Sequence, residues 1–270
     1  TTVKDTDMSN HKALEMFGRS GNPSLNAETF SSSAPDASFA ASAPAATMTL
    51  QGTVNRTGIL LALVFVSASY TWSMFFSSGN PAMVMPWAIG GAVVGLLLAL
   101  VTMFKKPWSG ITAPLYAIAE GLFLGAISAI FEAQYPGIVI QAVGLTLGTL
   151  ASLLFLYKTG LVKPTENFRL MVTSATMGIG LLYLVSMLMN MFGSGGIGFI
   201  HSNGLFGIGF SLFVVAIAAL NLVLDFDFIE QGSEMGAPKY MEWFGAFSLM
   251  VTLIWLYLEM LRLLAKLRSR

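Results

Sequence analysis

Three polar side chains interrupt an apolar run: Asn221, Asp225 and Asp227, in Ala218-Ala-Leu-Asn-Leu-Val-Leu-Asp-Phe-Asp-Phe-Ile-Glu230. An ionised carboxylate in hydrocarbon costs roughly 2.5–3.5 kcal/mol on insertion scales, and a leucine in its place carries no such penalty. Asp225 is therefore paired, protonated for part of its life, facing water inside the protein, or placed just beyond the hydrocarbon. Asn221 and Asp225 stand one helical turn apart and share a face, whereas Asp227 points roughly the other way. The expectation is that Asn221 and Asp225 face the interior of a helix bundle and that Asp227 caps the end of the span. The simpler alternative puts both acids at the headgroup boundary. Proton exchange and hydrogen bonding between helices are the chemistry these groups offer.

Other polar groups lie at comparable depth. Glu120 sits midway along Tyr116-Ala-Ile-Ala-Glu-Gly-Leu-Phe-Leu-Gly-Ala-Ile-Ser128, too far from either end to snorkel. It is expected to be neutral or hydrogen-bonded, as a clamp between helices or as part of an ion path. Glu259, in Trp255-Leu-Tyr-Leu-Glu-Met-Leu-Arg262, has Arg262 on its own face and is expected to form a helix-end ion pair. Glu132 and Glu242 fall at span boundaries and are expected to be solvated. Lys105 and Lys106 end the second span on the side where the sixth delivers Asp225, so a lysine bridge to that carboxylate is open to them.

The elements that hold these groups follow from composition. The chain is 55% hydrophobic and 10% charged, against roughly 25% charged for an ordinary globular domain, which marks a multi-spanning membrane protein. Formal net charge is zero and no basic stripe suggests nucleic acid. The absence of cysteine excludes disulfides and thiol chemistry, and the sixteen methionines read as adaptable packing rather than a soft-metal site. His201 is the only histidine beyond the first 55 residues and lies in a Gly-rich break, so a hydrolase site has no second member. No Gly-rich phosphate loop with its lysine is present. We expect neither an enzyme nor a bound cofactor. No positively charged region and apolar core with a cleavage site opens the chain, so the first span is expected to do the targeting.

Residues 1–55 are rich in Ser, Ala, Thr, Asn and Pro and carry too few large apolar groups for a core, predicting a disordered tail. Phe17, Phe30 and Phe39 are scattered within it, and Gly21-Asn-Pro-Ser-Leu-Asn26 reads as a turn. From Arg56 a seven-helix transmembrane domain is expected, with spans near 57–76, 82–104, 111–131, 137–157, 169–192, 204–228 and 243–265. Short breaks such as Ser77-Ser-Gly-Asn-Pro81 force antiparallel neighbours. Arg56, Lys105, Lys106, Lys158, Lys163 and Arg169 gather on one side, and the opposite breaks hold no Lys or Arg, so the N-terminus is expected to be cytoplasmic. Arg262, Lys266, Arg268 and Arg270 break that pattern unless the last segment is re-entrant; its length favours a full crossing. Gly91 with Gly95, Gly121 with Gly125 and Gly144 with Gly148 are expected to let helices approach closely.

These residues carry a resemblance. Leu224-Asp-Phe-Asp-Phe-Ile-Glu-Gln-Gly232, Tyr257-Leu-Glu-Met-Leu-Arg-Leu-Leu264 and Tyr116–Ser128 together resemble the Bax inhibitor family, the transmembrane BAX inhibitor motif proteins, over residues 56–270. The third stretch has the flavour of a bacterial sub-branch. The resemblance implies an all-α bundle of seven transmembrane helices with the last one central, in a bacterial cytoplasmic membrane. It also implies a pH-sensitive calcium leak governed by acids on the sixth and seventh helices and by a basic latch after the second.

Asp225 matches the sixth-helix acid, with Asp227 as fallback. Lys105 or Lys106 matches the latch, without the bidentate fork of an arginine. Either Glu259 or Thr252 takes the seventh-helix position, according to the alignment. Glu259 lies about 24 Å along its span and out of reach of an acid near the mouth, which favours Thr252. The function so implied is a cation leak in which protonation of Asp225, a transient Ca²⁺ ligand, frees the cytoplasmic mouth of a monomer or small homo-oligomer. The alternative is a non-transporting regulator that binds another membrane protein, such as a quality-control protease, through its tail.

Overall fold

The structure, a computed structural model, describes residues 47–193 and 196–269. The tail, the turn at Gly21–Asn26 and the three phenylalanines expected there lie outside the described residues as far as residue 46. Seven long helices follow: α1 (Leu50–Ser78), α2 (Pro81–Phe104), α3 (Ser109–Gln134), α4 (Ile138–Lys158), α5 (Glu166–Met191), α6 (Leu205–Glu234) and α7 (Met241–Arg268). All seven are long and apolar enough to cross a membrane, and the described residues hold no strand. A 3-10 turn, Lys106–Trp108, precedes α3, and one helical turn, Gly198–His201, lies between α5 and α6.

Local sequence sets the helix ends. Gly79, in a left-handed conformation at φ 61°, stops α1, and Asn80 accepts from the Ala82 amide to start α2 with Pro81 in its first turn. Pro86 and Pro114 lie inside α2 and α3, as membrane helices tolerate.

Two boundaries differ from expectation. The Thr49 hydroxyl accepts from the Gly52 amide at 3.0 Å, so α1 begins at Leu50 and the 55/56 boundary falls inside it. Helix α6 runs on to Glu234, past the expected end at 228. Asp227 therefore lies within the helix and caps nothing.

The chain divides into two compact units. One holds α1, α2, α3, the start of α4 and residues 229–251. Its spans pack through small residues, since lipid tails give apolar helices no reason of their own to associate. A Cβ on Gly121 would lie 2.6 Å from the Val64 carbonyl, one on Gly125 2.2 Å from that of Ala68, and one on Gly91 2.5 Å from that of Ala119. Thr71 donates to the Leu122 carbonyl at 3.1 Å across the same seam. Gly144 and Gly148 were expected to do likewise, but nothing lies within 4 Å of either, so the spacing there makes no close approach.

The other unit contains Leu145–Phe228 and α7 from Thr252 onward, and it carries the candidate site. Helix α7 is the most enclosed span: 78% of its most apolar 18-residue stretch is buried, against 56% for α6 and 17% for α4. It is long enough for a full crossing, about 42 Å at 1.5 Å per residue.

Candidate functional site: buried polar clusters on α5, α6 and α7

Asp225 is wholly buried, at 0% exposure. Its Oδ2 accepts the Thr252 hydroxyl of α7 at 2.6 Å. Burial of a carboxylate is tolerable only where donors replace the water it has lost. Thr252 supplies one, from about 16 Å along α7.

One turn back on α6, Asn221 is buried and donates to the Thr176 hydroxyl of α5 at 2.7 Å and to the Ile217 carbonyl at 2.9 Å. Its carbonyl oxygen Oδ1 and the Thr173 hydroxyl of α5 are buried without a hydrogen-bond partner. Asp227, on a different face, accepts from Arg169 Nη2 at 2.6 Å. Both side chains of that pair are largely buried, 13% and 14% exposed, so the protein covers most of it.

Glu259 belongs to a separate cluster about 10 Å further along α7. Its Oε1 accepts from Arg262 and from the Tyr183 hydroxyl of α5, and Arg262 also donates to that hydroxyl at 2.8 Å. Beyond it, the buried Lys266 ammonium donates to the Ile200 and Gly207 carbonyls at 2.6 and 3.0 Å and to the Ser211 hydroxyl at 2.8 Å. Two of the basic groups that disturb the charge rule at the end of α7 are thus engaged by oxygen atoms inside the protein.

The remaining expected residues lie in the other unit. Glu120 packs against α2, where a Cβ on Gly95 would lie 2.5 Å from its Oε1. Lys105 forms the C-cap of α2, and the Lys106 ammonium stands 5.9 Å from the centre of the Phe244 ring, within cation–π range. Glu132, expected to be solvated, accepts the Gly137 and Val139 amides at the start of α4.

Glu242 is the larger departure, being 1% exposed rather than solvated. Its Oε1 accepts from the Thr49 amide, the Thr49 hydroxyl and the Lys239 ammonium at 3.1, 2.8 and 2.7 Å. Arg56 lies 3.9 Å from Oε2 and stacks over the Trp243 ring at 4.5 Å. Neither Thr173, Thr176 nor Tyr183 stands out in the sequence, because Thr and Tyr are common in apolar helices. Arg169 is visible only as a topology charge.

A family model described as Bax inhibitor 1 like matches residues 16–269. No curated protein and no solved structure matches the chain. Matched over nearly its whole length, this integral membrane protein belongs to the Bax inhibitor 1-like family.

Proposed function

We propose that the protein is a cation leak pathway, with Ca²⁺ as the permeant ion, gated by protonation of Asp225. It would lie in a bacterial cytoplasmic membrane with its N-terminus in the cytoplasm, acting as a conduit and not as a catalyst. The observation that carries this reading is a fully buried carboxylate whose hydrogen bond reaches from one crossing helix to another. Ionised, Asp225 holds α6 to the Thr252 hydroxyl of α7. Neutralised, it accepts less strongly, and the two helices are freer to separate.

Asp225 also suits a passing cation. It offers a hard oxygen, and the Asn221 carbonyl and the Thr173 hydroxyl, both without protein partners, lie on the neighbouring turns of α6 and α5. Among the described residues no three His, Asp or Glu converge on one point, so the arrangement fits brief contact better than a resident ion.

The test is reconstitution into liposomes loaded with a calcium-sensitive dye. The reading requires calcium entry that depends on protein and that changes on Asp225→Asn. Entry indifferent to that substitution at every pH contradicts it.

A further inference from the structure

We infer that the barrier to ion passage is an apolar layer of Ile179, Val214 and Ile217, placed between the Asp225 cluster and the Glu259 cluster. The inference rests on the conduit reading and names the part of it that withholds the ion. These three side chains are buried together, with Ala175, Tyr183, Phe210, Leu220 and Trp255 packed against them.

Their register is the same on α5, α6 and α7. On α5, Ile179 stands between Thr176, bonded to Asn221, and Tyr183, bonded to Glu259. On α6, Val214 and Ile217 stand between Ser211, bonded to Lys266, and Asn221. On α7, Trp255 stands between Thr252, bonded to Asp225, and Glu259. Polar groups, the Tyr183 hydroxyl among them, therefore approach the layer from both sides, and the side chains of Ile179, Val214 and Ile217 carry no polar atom. At 1.5 Å per residue the gap between flanking polar positions is about 10 Å on α5 and α7 and about 15 Å on α6.

A layer of that thickness, lined by aliphatic and aromatic groups, is an effective barrier to a cation. Its three central side chains offer no oxygen to replace the hydration shell, and a narrow apolar constriction gates ions by shedding its water. The carboxylates on either side would then set how readily an ion arrives, and the layer whether it crosses. Release of α6 from α7 at Asp225 and Thr252 acts on the two helices that carry Val214, Ile217 and Trp255, which gives the mouth a means of loosening the layer.

Polarity, not volume, should decide the effect. Val214→Thr keeps shape and adds a hydroxyl; Ile217→Asn places an amide in the layer; Ile179→Leu and Ile217→Leu keep it apolar. Each variant is purified, checked for a single size-exclusion peak and helical circular dichroism, reconstituted, and assayed for calcium entry at neutral pH. The expected result is a several-fold rise for Val214→Thr and Ile217→Asn with the leucine variants at the wild-type rate. If Ile217→Asn does not fold, the near-isosteric Val214→Thr carries the test. Wild-type flux in folded Val214→Thr overturns the inference, and so does an equal rise in the leucine variants, which would mean loosened packing. Adding Asp225→Asn separates the two readings: a raised flux in Val214→Thr with no effect of Asp225→Asn in either background keeps the layer and removes the carboxylate gate.

Discussion

The Thr252 hydroxyl of α7 donates to the Asp225 carboxylate of α6 at 2.6 Å, with both residues buried. The bond joins two crossing helices at the one place where an acid of α6 is completely withdrawn from solvent. Thr252→Val keeps the volume and deletes the donor, leaving a buried acceptor short of a partner. The expected loss is about 1–3 kcal/mol, read as a lowered midpoint of thermal unfolding in detergent. Thr252→Ser, which restores the hydroxyl, should recover most of it.

Arg169 and Asp227 make the second polar tie, at 2.6 Å between α5 and α6. Breaking a largely buried pair from one side leaves a charge without its partner, whereas removing both leaves none. Arg169→Met and Asp227→Asn should each destabilise the protein more than half as much as the two together, with a coupling of about 1–3 kcal/mol in a double-mutant cycle. Additive losses would mean that the pair contributes no more than its separate contacts.

Much of this was readable beforehand, and what was not has a physical reason. The breaks at Ser77–Pro81 and elsewhere carry turn residues whose backbone preferences do not depend on tertiary context, so the spans could be counted. The spacing of Asn221 and Asp225 is a property of any helix and sufficed to place them on one buried face. A helix pattern does not reveal rotation about its axis, so Arg169 registered as a charge at a span end and not as the partner of Asp227. Gly144 and Gly148 share the spacing of Gly121 and Gly125, yet only the latter pair meets another helix. Glu242 was misplaced because its donor, Thr49, is 193 residues away in the chain.

Glu242 gives a prediction of its own. A Cβ on Gly52 would lie 1.8 Å from Glu242 Oε1, so this carboxylate occupies the space that any side chain there would need. Gly52→Ala should destabilise the wild type and be much better tolerated in a Glu242→Ala background. Faster amide hydrogen exchange over residues 48–53 in Gly52→Ala and in Glu242→Ala is the accompanying sign, because Thr49 loses its acceptor in both. Additive effects of the two substitutions would contradict the close contact.

Calcium entry into dye-loaded liposomes, followed in wild type and Asp225→Asn as the pH falls from neutral to mildly acidic, is the most direct test of the gate. Protonation of the buried carboxylate should raise wild-type flux toward the acid side, while the permanently neutral asparagine should give a raised flux that no longer responds to pH. Wild-type and Asp225→Asn curves that coincide throughout would show that Asp225 does not control passage.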